Sequence, residues 1–417
     1  MTHTLEHVVV VGAGLAGHAA AERLRERGFR GAITVVGDEA HRPYNRTPLS
    51  KQLLTGERSV RDLALPSFAE LDCTWRLGTA ATGLDAAARK LTLADGGVLR
   101  YDGLVLATGV AARTLPGAPV HRERVHVLRT LADAHGIDRA LGHARDRVTV
   151  VGGGFIGCEL ASTARSRGLD ATIIDISPTL LTHGLGTTLG AVAADIHRGA
   201  GVGLHLGVGI ARWEPHAAGV RLFLQDGEVV DSDTVVVGIG TTPAVAWLAG
   251  SGLDLTDGVL AGPTCHASGA EDVVVAGDAA RWPNLFFDAI PRRVEHWINA
   301  IEMGQAADNL LTGQTNAKAF TPVPRFWSEQ HGVKIQSVGM PRLGHELRIV
   351  EGAPGKGSFV AAFTQPTTTT TTTTAAGGVG HRLMGVIGFD AARRLLEYAP
   401  LIGQHVTVEG TFQAQPV

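Results

Sequence analysis

Short runs of β-branched residues alternate along the chain with longer stretches of small and charged residues. Residues 8–11, Val-Val-Val-Val, are too few for a helix and too uniformly apolar for a half-exposed strand. They predict a buried parallel strand. That run enters Gly12-Ala13-Gly14-Leu15-Ala16-Gly17. Residues 18–27 follow, rich in Ala, Leu, Arg and Glu, which favour helix, and Gly28 supplies the stop. Residues 33–36 predict the next strand. The order then returns: a strand at 148–151, Gly152-Gly153-Gly154-Phe155-Ile156-Gly157, a helix to Arg167, a stop at Gly168 and a strand at 171–174. Two copies of strand, Gly-rich loop, helix and strand predict two dinucleotide-binding units in an α/β protein.

Two further apolar runs end in glycine, at Gly109 and Gly240, and residues 272–278 predict a buried strand with Asp278 just past its end. Beyond about residue 320 the apolar pattern shortens and alternates, as at 334–338, 346–350 and 359–363. This predicts a small C-terminal α+β domain. Eight threonines at 367–374, flanked by Gln365-Pro366 and Ala-Ala-Gly-Gly, predict a loop insert at 365–378 without chemistry.

Composition narrows the function. A net charge of −3 over 417 residues gives no reason to expect nucleic acid or an anionic membrane. No run of about 18 apolar residues occurs, so no membrane span is expected. Cys73, Cys158 and Cys265 form no C-x-x-C, which points to a reducing cytoplasm and leaves no cysteine pair to carry electrons. The 18 histidines are scattered, and no metal is expected.

Each Gly-rich loop sits between a strand and a helix, the context that gives the motif meaning. The first glycine makes the turn, the second admits a pyrophosphate and the third lets helix and strand pack closely. The helix N-terminus adds free N–H groups and partial positive charge. An acid for the ribose is expected about 20 residues on. Asp38, with Glu39 beside it, serves the first unit, and Asp175 serves the second. Residues 176–183 hold no Lys or Arg to receive a 2′-phosphate, so the second site should prefer NADH over NADPH.

The segment from His41 to Lys51, His-Arg-Pro-Tyr-Asn-Arg-Thr-Pro-Leu-Ser-Lys, resembles the R-P-Y-x-R-P-P-L-S-K block of the oxygenase-coupled FAD-dependent ferredoxin reductases. Leu128-Arg129-Thr130, Gly277-Asp278, Arg293-Val-Glu-His-Trp-Ile-Asn-Ala300 and Phe326-Trp-Ser-Glu-Gln330 match family blocks in order. Thr47 replaces the family's usual proline. The resemblance implies the pyridine nucleotide-disulfide oxidoreductase fold: two Rossmann-like domains plus a C-terminal α+β interface domain. It implies an FAD domain at residues 1–114 and 244–320, an NADH domain at 115–243 and the C-terminal domain at 321–417.

By the same resemblance FAD would meet Gly12, Gly14, Leu15, Ala16, Gly17, Asp38, Glu39, Arg46, Lys51, Ala81, Thr108, Gly109 and Arg129. Its further contacts would be Gly277, Asp278, Glu295, His296, Trp297 and Trp327. NADH would meet Gly152, Gly154, Phe155, Ile156, Gly157, Glu159, Asp175, Gly238 and Gly240. Lys51 and Glu159 are the catalytic candidates: a cation near the flavin N5/O4 edge, and a helix-start carboxylate pairing with it across the flavin. The implied reaction passes hydride from NADH to FAD, then single electrons to a [2Fe–2S] ferredoxin, or a rubredoxin, that feeds a cytochrome P450 or Rieske oxygenase. Arg292, Arg293, Arg393 and Arg394 are candidate docking cations for such an acidic carrier. The chain could be a monomer or a homodimer. Two alternatives stand beside this reading: an NADH oxidase or peroxidase-like flavoenzyme, and a redox-responsive interaction protein resembling apoptosis-inducing factor.

Overall fold

A computed structural model describes residues 5–66, 71–119, 123–143, 147–366, 381–407 and 413–414. The chain divides into two compact units. One comprises Met1–Asn45, Val60–Ala111 and Thr242–Pro324; the other comprises Arg46–Ser59, Ala112–Thr241 and Arg325–Val417.

The first unit is built on a five-stranded sheet ordered Val273–Val275, Gly103–Leu106, His7–Val11, Ala32–Gly37 and Thr74–Leu77. Every pairing is parallel. Val8, Val9 and Val10 are fully buried, which is why the run carries no polar alternation. The helix Leu15–Glu26 follows the central strand, and the helix Trp297–Gln305 packs against it. A Cβ on Gly304 would stand 2.4 Å from the Ala16 carbonyl oxygen, so the two helices meet nearly backbone to backbone.

The second unit repeats the plan. Its parallel sheet runs Gly203–Leu206, Asp170–Asp175, Arg147–Val151, Thr234–Val237 and Val125–Val127, and the helix Phe155–Ser166 follows the central strand. In both units the chain leaves the central strand to one side and later returns to the other. That reversal opens a crevice at the strand's C-terminal end, where α/β sheets take ligands.

An antiparallel sheet completes the second unit, ordered Arg325–Gln330, Val333–Gly339, His381–Phe389, Phe359–Pro366 and Glu346–Glu351, with the helix Ala392–Tyr398 against it. The first two residues of the insert expected at 365–378 are strand and not loop. Gln365 and Pro366 belong to the strand Phe359–Pro366 and pair with Arg382 and His381. The threonines at 367–374 lie outside the described residues. Among the described residues no helix is long and apolar enough to cross a membrane, and no group of His, Cys, Asp and Glu could hold a metal ion.

Candidate functional site

The two Gly-rich loops are near copies in three dimensions. Gly12 has φ +114° and Gly152 φ +112°, a region open to glycine and costly for any side chain. The Gly12 N–H donates to Val36 O and the Gly152 N–H to Ile174 O, both at 2.8 Å, so each turn is tied to the neighbouring strand. A Cβ on Gly17 would sit 1.8 Å from Gly12 O, and one on Gly157 1.9 Å from Gly152 O. These two positions are closed by the protein's own backbone. Gly14 and Gly154 are the opposite: a Cβ on either meets nothing within 4 Å. Packing does not require glycine there, whereas a pyrophosphate lying over the helix N-terminus does. Leu15 and Ala16 open the first helix and Phe155 and Ile156 the second.

Several other expected residues follow strand ends within their own units. Thr108 and Gly109 follow the strand Gly103–Leu106, and the Thr108 Oγ1 is buried with no hydrogen-bond partner among the described residues. A polar atom so placed suits an absent polar ligand. A Cβ on Gly277 would lie 2.8 Å from the Ala16 Cβ, which sets the Gly277–Ala279 turn carrying Asp278 against the first loop's helix. Gly238 donates to Val151 O at 2.7 Å, and its carbonyl closes over Gly152 as Ala107 closes over Gly12. Gly240 lies just beyond, with φ +98°. The Trp297 indole N–H donates to Asn45 Oδ1 at 3.0 Å. Ala81 begins a small antiparallel strand, opposite Leu93.

The acids divide by environment. Asp38 is exposed, whereas Glu39 receives the Tyr44 hydroxyl at 2.6 Å. Asp175 is held more firmly: Oδ1 accepts the Ser177 N–H at 2.6 Å and Oδ2 accepts the Gly153 N–H. The second acid therefore braces its own Gly-rich loop.

Lys51 and Glu159 meet directly. The ammonium lies 2.8 Å from Glu159 Oε1, with side-chain exposures of 15% and 7%. Glu159 also accepts the Ser50 hydroxyl at 2.5 Å and the Ser328 hydroxyl at 2.6 Å. The expectation of a pair across a flavin ring is corrected in one respect: a 2.8 Å contact leaves no room for a ring between the two groups. Sequence reasoning missed Ser50 and Ser328. Both lie inside the matched blocks, and Ser50 adjoins Lys51. Arg46 donates to Arg129 O at 2.9 Å, and the Arg129 N–H bonds the Asp133 carboxylate that caps the next helix with Thr130. The Phe155 ring lies 4.9 Å from that of Phe326, next in sequence to Trp327.

Cys158, next to Glu159, and Cys265 are buried, and burial pushes both thiols well above their ordinary range. Neither can serve as a thiolate. Of the arginines offered for docking, Arg292 pairs with Asp288, Arg293 with Asp257 and Glu295, and Arg394 with Glu351; Arg393 is exposed.

Burial lowers the His296 imidazole from 6.5 to about 4, and burial, then His197 and Arg165, lower His331 to about 4. The unfolded chain binds protons at these sites below about pH 6.5 while the folded chain does not. Their stabilisation is full above that pH and is lost as pH falls toward 4. The melting temperature is expected to drop between pH 7 and pH 5, and H296Q/H331Q should flatten that fall; an equal fall in wild type and variant would contradict it.

The pyridine nucleotide-disulphide oxidoreductase family model matches residues 6–304, most of the chain. This chain belongs to that family. It is 36% identical over 80% of its length to the biphenyl dioxygenase system ferredoxin–NAD(+) reductase component of Paraburkholderia xenovorans (strain LB400), covering 81% of that protein. It is 32% identical over 97% of its length to the 5,5'-dehydrodivanillate O-demethylase ferredoxin reductase subunit of Sphingobium sp. (strain NBRC 103272 / SYK-6), covering 93% of it. The reductase in the crystal structure of the covalent putidaredoxin reductase–putidaredoxin complex superimposes with a TM-score of 0.87 at 28% identity, with 97% of this chain and 94% of that one covered. The chain is an oxidoreductase with the fold of these reductases.

Proposed function

We propose that this chain is an NADH-dependent ferredoxin reductase, with FAD on its first unit and NADH on its second. It passes electrons singly to an iron–sulfur carrier, a ferredoxin or a rubredoxin, that supplies a cytochrome P450 or Rieske oxygenase. One observation carries the reading: two superposable Gly-rich loops, each open at its middle glycine, in a chain resembling ferredoxin reductases nearly end to end. The bound flavin supplies the exchange between a two-electron hydride donor and a one-electron acceptor.

The chain's own residues bind, orient and set the electrostatics. The loop of residues 12–17 would receive the FAD pyrophosphate, the buried Thr108 Oγ1 would serve as a further polar contact, and the resemblance assigns Asp278 to the ribityl chain. Glu39, ordered by Tyr44, serves the FAD ribose better than exposed Asp38. The loop of residues 152–157 would receive NADH, and Asp175 would meet its ribose and disfavour a 2′-phosphate. Arg46, Ala81, Arg129, Glu295, His296, Trp297 and Trp327 complete the flavin contacts that the resemblance assigns. By the same resemblance Lys51 would supply positive charge to the flavin, and Glu159 holds that ammonium. With no usable cysteine pair, electrons leave to a protein partner, and the reducing cytoplasm is the matching compartment.

The test is anaerobic reduction of the holoprotein with NADH, followed in turn by oxygen, ferredoxins and cytochrome c. Rapid reoxidation by an iron–sulfur carrier alone is expected; fast peroxide or water formation would overturn the reading. Lys51→Ala should slow flavin reduction by NADH about 100-fold with FAD still bound, since a charge that would stabilise the reduced ring acts on the step itself. An unchanged stopped-flow rate would remove Lys51 from the mechanism.

A further inference from the structure

The second unit contains an unbroken chain of hydrogen bonds running from a hairpin turn to the carboxylate of Glu159. His331 Nε2 lies 3.1 Å from His197 Nδ1. His197 Nε2 lies 3.0 Å from Gln330 Oε1, and Gln330 Nε2 donates to Ser328 Oγ at 3.0 Å. The Ser328 hydroxyl ends the chain on Glu159 Oε1 at 2.6 Å. His197 and Ser328 are fully buried, Gln330 is 2% exposed and Glu159 5%.

The chemistry of the last member fixes the direction of all the others. A carboxylate only accepts, so Ser328 must donate to it and accept from the Gln330 amide nitrogen. That leaves Gln330 Oε1 facing His197, whose Nε2 must carry the hydrogen. A neutral imidazole then presents a bare Nδ1, which accepts from His331 Nε2–H. Burial lowers both imidazoles' affinity for a further proton, in keeping with two neutral rings. Every dipole in the row points at Glu159.

Packing alone does not call for such a row. Buried polar groups cost free energy unless all are satisfied, and apolar side chains of the same volume fill a core at least as well. The outer end is also held in a definite way. His331 has φ +50° and Gly332 φ +77°, the two-residue turn where Asn-Gly is usual, and the His331 N–H donates to Ser162 Oγ at 2.8 Å.

We infer that Ser328, Gln330 and His197 are positioning residues for the Lys51–Glu159 pair. The donor row fixes Glu159 Oε1, the oxygen that also receives the Lys51 ammonium, while Ser50 fixes Oε2. The carboxylate is held in one rotamer, and the Lys51 Nζ is placed by it. This role rests on the assignment of Lys51 and Glu159 given above.

The holoprotein tests it by stopped flow and by imidazole nitrogen spectra. Ser328→Ala should slow flavin reduction about tenfold at saturating NADH, with the NADH KM unchanged, and Ser328→Thr should restore it. His197→Leu, which touches neither member of the pair, should slow it about threefold, and His197→Gln should restore it. At pH 7 the spectra should show Nε2–H tautomers at His197 and His331, with the His197 signal displaced in Ser328→Ala. Variants that lose thermal stability yet reduce their flavin at the wild-type rate would overturn the positioning role, as would an Nδ1–H tautomer at His197. If NADH fails to reduce the wild-type flavin, the assignment of the pair falls and the positioning role with it. The tautomers would still report the row itself.

Discussion

Gly154→Ala is expected to leave the fold intact and to raise the NADH KM at least about tenfold. The glycine lies at φ −77°, which any residue adopts, and its added methyl meets no protein atom within 4 Å. Among the described residues the methyl obstructs nothing, so what it would meet is a ligand lying over the helix N-terminus. Gly157→Ala, three residues on, should behave differently. Its methyl would press on a backbone oxygen 1.9 Å away, so strand and helix must separate, at a cost of about 1–3 kcal/mol. It should lower the melting temperature and weaken NADH binding together. Thermal melts and steady-state kinetics with the FAD content checked decide the matter. A Gly154→Ala enzyme with wild-type NADH affinity would mean that the pyrophosphate does not cross that glycine. The same contrast between Gly14 and Gly17 is expected to appear in FAD retention.

Glu159→Ala is expected to damage stability and catalysis together. It leaves the largely buried Lys51 ammonium, with a side chain 15% exposed, deprived of its carboxylate, and it strands the Ser50 and Ser328 hydroxyls. Removing one member of a buried pair costs about 3–5 kcal/mol. For a unit of this size that is a fall in melting temperature of roughly 10 °C. Glu159→Gln keeps an acceptor for Ser328 and should melt closer to wild type, yet reduce flavin slowly because the charge holding Lys51 is gone. The double change Lys51→Met with Glu159→Leu should regain most of the stability and none of the rate. A Glu159→Ala protein that melts like wild type would contradict the account of the pair.

The contrast between Gly154 and Glu159 marks what could be read in one dimension. The Gly-rich loops announced themselves because the constraints on them are local. A turn at positive φ, a helix start and a glycine three residues on are all within six positions, and the β-branched run before them needs burial on both faces. Asp175 was legible for the same reason, at the end of a strand. The sequence did not distinguish Asp38 from Glu39; in the structure the Tyr44 hydroxyl reaches back across a turn to Glu39, and that acid is the one we propose for the FAD ribose.

Glu159 could be suspected from its place in a helix's first turns and from the contacts the resemblance assigns, but its surroundings could not. Its four partners in the structure, Ser50, Lys51 and Ser328 directly and Gln330 through Ser328, come from segments far apart along the chain. No periodicity links them, because nothing local requires a serine at 50 or at 328. The pairing of Gln365 and Pro366 with Arg382 and His381 is a similar case, since a cross-strand partner 15 or more residues away leaves no local mark in composition. The sequence by itself determined two dinucleotide loops and the kind of fold that displays them, because local backbone geometry demands those residues in that order. Only the tertiary structure decided which oxygen of Glu159 faces Lys51 and what holds it there, because a buried charge takes its partners from whatever the fold brings within about 3 Å.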